Sequence, residues 1–189
     1  MSLDMIDQLR AAKPVGNLPG EIAAGRFALR PVHRSDEGLI EMYSGDRRVA
    51  EATHSIPHPL PPGAAEAFVS RAMSGKGDED IWVMDGSTSG LSEVLGVISL
   101  KRMDRAQSEI GFWVAPAFWN TGIASEAVRA LIAANPQKNR TIFAKIFQDN
   151  PGSARVLSNA GFEYLGDAES FSVARGAIVP IWTYIKKLD

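Results

Sequence analysis

The sequence predicts one α/β (α+β) domain, with a mixed, mostly antiparallel central sheet flanked by helices. Three observations carry this. Three strand-like runs, Ile81–Met84, Val94–Leu100 and Gln107–Val114, follow one another with only turns between them, as an antiparallel meander requires. A strand–helix–strand unit comes next and ends in Thr141–Phe147, which calls for a parallel pair joined by a crossover. The chain has 189 residues, 45% of them hydrophobic, and no break in composition, which suits a single core.

Taken in order, residues 1–25 read as a weakly patterned N-terminal extension. Met5, Ile6 and Leu9 suit a short amphipathic helix there, before Lys13-Pro14, Pro19-Gly20 and Gly25 break regularity. The domain proper is expected over residues 26–189. Arg26–Val32 alternates as a first, edge-type strand. Ser35-Asp36-Glu37 opens a helix striped by Leu39, Ile40, Met42 and Tyr43, and Arg47–Thr53 suits a further helical turn. His54–Pro62 holds four prolines and reads as a stiff extended loop carrying His54 and His58. Gly63–Met73 follows as a helix with Ala65, Phe68, Val69 and Ala72 inward. After the meander and its helix, Asn150–Ala160 reads as another helix stopped by Gly161. Phe162–Leu165, Ser170–Ala174 and Ile178–Ile185 read as closing strands, which could pair across a dimer.

Composition removes whole classes of chemistry. No cysteine is present, so disulfides, thiolate metal sites and cysteine nucleophiles are excluded. Three histidines with no H-E-x-x-H among them give no expectation of a metal. A net charge of −2 argues against broad nucleic-acid binding. No apolar run approaches the ~20 residues of a membrane span, and the N-terminus lacks a signal-peptide order. A soluble, cytoplasmic protein is expected, acting as a monomer or homodimer with neither nucleic acid nor membrane as partner.

The chain is organised around Phe112–Ala134. Phe112, Trp113 and Val114 end a strand, and Pro116 cannot continue a central ladder. Trp119-Asn120-Thr121-Gly122-Ile123-Ala124 is a turn, and a helix runs from Ser125 with Val128, Leu131 and Ile132 on one face. Such a turn aims unpaired backbone N–H groups and a helix dipole at one point, a place for a phosphate. The same residues also suit a plain strand–helix connection. Neither Gly-Lys-Ser/Thr nor G-x-G-x-x-G is present, so nucleotide-triphosphate and dinucleotide loops do not fit.

The stretch resembles the acyl-coenzyme A loop, Q/R-x-x-G-x-G/A, of the GNAT acetyltransferase superfamily. Trp119 stands at the first position, as in the branch that holds the ribosomal-protein N-terminal acetyltransferases. A second segment, Asn150–Phe162, resembles the family's N-x-x-S-x-x-x-L-x-x-x-G-F, and Ser108–Val114 resembles its fourth strand. The resemblance covers roughly Arg26 to the C-terminus. It implies a V-shaped cofactor cleft between the fourth and fifth strands, with acetyl-CoA as cosubstrate. The acceptor would be a primary amine, on a small molecule or a protein N-terminus. Asn150 would hold the pantetheine arm, and Ser153 would lie near the thioester sulfur and give the leaving thiolate its proton. Leu157 fills the place where other branches keep a tyrosine. As residues alone, Asn150 and Ser153 equally suit an ordinary helix cap.

Acetyl transfer needs a held cofactor, a neutral amine, a stabilised oxyanion and a protonated thiolate. Backbone N–H groups from Thr121 through Gly122, Ile123, Ala124 and Ser125 to Glu126 would hold the pyrophosphate. Phe112, Trp113 and Val114 would pair with the pantetheine amides, and a strand distortion before Pro116 would free an N–H for the carbonyl. Glu109 is the expected base: it shares a strand face with Gly111 and Trp113, on what is expected to be an apolar cleft floor that raises its basicity. A structural acid paired with a cation is the other reading of Glu109. His54 is a second base candidate, or a wall of the acceptor site. A non-catalytic acyl-CoA sensor or interaction domain remains the alternative, since it would keep the loop and Asn150 without needing Glu109 or Ser153.

Overall fold

A computed structural model describes residues 18–189. The helix expected around Met5, Ile6 and Leu9 lies outside the described residues. The strands are β1 (Ile22–Ala23), β2 (Ala28–Pro31), β3 (Glu79–Asp85), β4 (Gly96–Met103), β5 (Gln107–Val114), β6 (Thr141–Phe147), β7 (Glu163–Ser172) and β8 (Ala177–Lys187). The helices are α1 (Glu37–Ser44), α2 (Arg47–Ala52), α3 (Ala64–Ser74), α4 (Ile123–Ala134) and α5 (Pro151–Asn159). One eight-stranded sheet runs β1-β2-β3-β4-β5-β6-β8-β7. All neighbours are antiparallel except β5 and β6, which are parallel and joined by α4.

Helices cover both faces. On one side α1 and α3 bury Ile40, Ala65 and Val69 against Ile81, Val83 and Val97. On the other, Ile123, Ala127, Val128 and Leu131 of α4 and Leu157 of α5 pack on Trp82, Ile98, Leu100 and Ile142. Each Val, Leu or Ile so buried stabilises the fold by about 1.5–3 kcal/mol. Between the sheet and α1, Arg30 bridges Asp36 at 2.8 Å and Asp85 at 2.6 Å. These carboxylates hold the Arg30 guanidinium far above its ordinary range, against the opposing effect of burial. So β2 is pinned to the start of α1 and the end of β3 by a partly buried, hydrogen-bonded pair of ion pairs.

Several boundaries differ from expectation. The sheet begins before Arg26: Ile22 and Ala23 pair with Leu29 and Ala28, and Ala24 is buried in the core, so apolar packing extends into the segment read as an extension. Helix α4 starts at Ile123 rather than Ser125, because Gly122 with φ 82° serves as its N-cap. The two short strands expected within Phe162–Ala174 are one strand, β7. A bulge between Tyr164 and Gly166 absorbs the Gly-Asp step that reads as a break in the sequence.

Candidate active site

The parallel pair at the sheet centre is short. Only Gln107–Glu109 of β5 lie in register with Thr141–Phe143 of β6. Beyond Glu109 the two strands part, while β5 stays paired with β4 through Val114 in unbroken register. The opening is therefore a splay between strands. It replaces the distortion expected before Pro116, because β4 keeps β5 regular to its end.

The splay leaves backbone groups exposed in a defined order. Successive residues of an antiparallel strand turn their N–H and C=O to alternate sides. Ala115 N–H donates to Leu95 O at 2.8 Å, on the β4 side. Trp113 shares that orientation, so its backbone is spent on β4. Phe112 and Val114 turn theirs into the cleft. The Trp119 indole N–H then donates to Val114 O at 2.7 Å, which leaves the Val114 and Phe112 N–H groups and the Phe112 carbonyl for a ligand. The expectation that all three residues offer backbone pairing is corrected to two.

At the outer end of the cleft lies a cavity of about 460 Å3. Trp119, Asn120, Gly122, Ile123, Ala124 and Ser125 form one wall, with Asn150, Ser153 and Phe112 opposite. The turn is tight enough that Asn120 as well as Gly122 has positive φ, at 60°. Thr121 and Glu126 do not face this cavity. Thr121 O accepts from Arg26 Nη2 at 2.6 Å, and the Glu126 carboxylate accepts from Arg26 Nε at 2.9 Å. The Glu126 N–H is already bonded to Gly122 O at 3.0 Å. Arg26 thus clasps the turn to the first turn of α4 and offsets the one carboxylate there. No local sequence signal marks it, since its partners lie far along the chain.

A second cavity, of about 410 Å3, lies on the α1/α3 face. Its floor follows from register. Ile81, Ser99 and Gly111 stand side by side on β3, β4 and β5, and the next row toward the cavity edge is Glu79, Lys101 and Glu109. The small Ser99 and Gly111 leave the space; a methyl group at Gly111 would sit 3.4 Å from Ser99 Oγ. Ile56, Leu60, Phe68 and Trp113 wall it. Glu109 lines it and bonds Lys145 Nζ at 3.2 Å, its side chain 32% exposed. Glu109 thus stands in a charged row at the cavity edge rather than on the expected apolar floor, because the polar positions of three adjacent strands coincide.

The two cavities share Ala52, Phe112, Trp113 and Ser153. Asn150 caps α5: its Oδ1 accepts from Ser153 N–H at 3.3 Å, and its Nδ2 donates to Ser153 Oγ at 3.0 Å. With that oxygen accepting, the Ser153 hydroxyl proton is left to donate into the junction. His54 lines the second cavity, stacked on Phe147 with ring centroids 4.4 Å apart. Lys145 O, 3.2 Å from Nε2, requires the proton there, so Nδ1 accepts from Ser170 Oγ at 3.2 Å. Burial pushes the imidazole below its ordinary value. Both nitrogens are engaged, which makes His54 a wall fixed to β6 and β7. Among the described residues no group of three or more His, Asp or Glu could hold a metal, and no helix is long and apolar enough to cross a membrane.

Sheet, split and helix N-terminus together define the acetyltransferase fold. The family model "Acetyltransferase (GNAT) domain" matches residues 26–163, so the chain belongs to the GNAT acetyltransferase family. A ribosomal-protein-serine acetyltransferase of Escherichia coli is 35% identical over 89 residues, 40% of this chain and 50% of that protein. An uncharacterised N-acetyltransferase, p20, of Bacillus licheniformis is 29% identical over 97 residues, 49% of this chain and 54% of that protein. The chain thus spans about half the length of the curated relatives it matches. In fold it is similar to RimL, a ribosomal L7/L12 α-N-protein acetyltransferase solved with coenzyme A. The TM-score is 0.75 at 17% identity, over 90% of this chain and 99% of that one. The ribosomal-protein-S5-alanine acetyltransferase of Vibrio fischeri gives 0.74 at 20% identity, over 90% and 97%.

Proposed function

We propose that the protein is an acetyl-coenzyme A-dependent N-acetyltransferase that acts on a primary amine by direct transfer. The observation that carries this reading is the meeting of two cavities at Ser153 and the splayed edge of β5. One has a helix N-terminus suited to a pyrophosphate; the other has a carboxylate suited to an amine. Acetyl-coenzyme A supplies the acyl group as a thioester, and the residues present fit it. The free N–H groups of Ile123, Ala124 and Ser125 hold the pyrophosphate, Arg26 keeps their turn in shape, and the Phe112 and Val114 backbone receives the pantetheine amides.

Within that frame Glu109 accepts the amine's proton as the nitrogen bonds to the acetyl carbonyl carbon. A cleft-facing N–H of β5 donates to the carbonyl oxygen as charge gathers there. The carbon–sulfur bond breaks, and the thiolate that leaves takes its proton from the Ser153 hydroxyl, which regains one from water while Glu109 returns its own to solvent. Asn150 holds Ser153 in place, and His54 shapes the acceptor side. The acceptor is a primary amine on a small molecule or peptide, and the protein works in the cytoplasm as a monomer or homodimer. The test joins a thermal shift with acetyl-coenzyme A to thiol release across a panel of primary amines. A shift with amine-dependent thiol release supports the reading. A shift with none for any amine makes the chain a binding domain, and no shift removes the cofactor assignment.

A further inference from the structure

From the charges of the second cavity we infer that the acceptor is a free α-amino acid with an apolar side chain, a reading that rests on the acetyltransfer proposed above. Five charged side chains line the cavity: Glu79, Glu109, Arg71, Lys101 and Lys145. They are not equally committed. Glu109 and Lys145 pair at 3.2 Å. Arg71 and Lys101 have no salt-bridge partner within 4.0 Å among the described residues, and only Glu79 remains to offset them. The cavity therefore holds three cations against two carboxylates, and its uncommitted charge is positive.

Position turns this balance into a recognition pattern. Lys101 stands directly across from Glu109 on the neighbouring strand. Opposed residues on adjacent strands are about 4.5–5.5 Å apart at Cα. Arg71 reaches the same rim from α3, its guanidinium 5.5 Å from the Phe68 ring centroid. An amine beside Glu109 thus shares its cavity with Lys101 on the adjacent strand and Arg71 on α3. An α-amino acid puts its carboxylate there, one carbon from the nitrogen. Its side chain then meets Ile56, Leu60 and Phe68. A polyamine would bring further positive charge against Lys101 and Arg71. A protein N-terminus has a neutral amide where the carboxylate belongs.

The experiment measures thiol release from acetyl-coenzyme A with leucine and phenylalanine, with their amides, and with spermidine. The free acids are expected to exceed their amides in kcat/KM by about tenfold or more, the scale of losing a charge-assisted hydrogen bond. Lys101→Met and Arg71→Met should each close most of that gap by raising KM for the acid. Their thermal shift with acetyl-coenzyme A should match that of the parent. Amides equal to acids, a preference for spermidine, or unchanged acid KM in both variants would overturn the assignment and leave acetyltransfer standing. Acetyl-coenzyme A binding without turnover of any amine would overturn both.

Discussion

At Gly122 the backbone holds φ 82°, and an added Cβ would lie 3.4 Å from Arg26 Nη2. A β-branched residue there strains the turn and pushes on the arginine that clasps it. A ligand at 100 times its dissociation constant adds about 2.7 kcal/mol of stability. Gly122→Val is expected to lose most of the shift that acetyl-coenzyme A gives the parent, as differential scanning fluorimetry would show. In the proposed reaction Glu109 and Ser153 divide the chemistry. Glu109→Gln should lower kcat by roughly 10²–10⁴-fold with cofactor affinity kept, since general-base catalysis is worth that much. Ser153→Ala should cost only about tenfold to a hundredfold, or ~1.4–2.7 kcal/mol of barrier, in single turnovers at saturating cofactor. A parent-like rate would reduce Ser153 to the cap that its bond with Asn150 already describes.

Between elements, the contact most open to test is the Trp119 indole on Val114 O. It ties the cofactor turn to the free edge of β5 at 2.7 Å. Trp119→Phe keeps the ring and removes the donor, so about 0.5–1.5 kcal/mol should disappear from the urea unfolding free energy. A value unchanged from the parent would mean that water replaces the indole. A similar tie closes the opposite side. Arg175, in the turn between β7 and β8, bonds Asp149 at 2.5 Å and Glu51 O at 2.8 Å, and Val173 N–H donates to His54 O at 3.1 Å. The closing hairpin thereby holds the proline-rich loop against β6. The Asp149 carboxyl sits below its usual range chiefly because of the Arg175 hydrogen bond.

The whole molecule should show the burial of His54 in its response to pH. Desolvation lowers the imidazole below its ordinary 6.5, against smaller opposing effects of Lys145 O and Glu109. The unfolded chain therefore takes up that proton first as pH falls. The contribution of His54 is complete above pH 6.5 and is lost as pH drops through the window beneath it. Denaturant midpoints of the parent should decline between about pH 7 and pH 5, and those of His54→Gln should decline less over the same range. Equal slopes would assign the acid sensitivity to other groups.

Periodicity and punctuation carry short-range physics, and those were legible. Gln107–Val114 and Thr141–Phe147 end where alternation ends, and Pro116 and Gly122 mark the turn between them. The Gly122 turn and the Asn150–Phe162 segment carry the resemblance to the family within the sequence itself. The pairing of Ile22 and Ala23 with β2 and the continuity of β7 were not legible, for one reason. Burial of Ala24 and the bulge near Gly166 depend on partners elsewhere in the chain. The same holds for the site. Arg26 meets Thr121, His54 meets Ser170 and Lys145 meets Glu109 only because the sheet order sets them side by side. Pairing register put Glu79, Lys101 and Glu109 in one charged row at the cavity edge, where the sequence suggested an apolar setting for Glu109. The sequence determined the elements and the Gly122 turn, because local backbone preference is written residue by residue. The tertiary structure decided the cavities and their charge, because those are properties of distances between residues that the chain order does not contain.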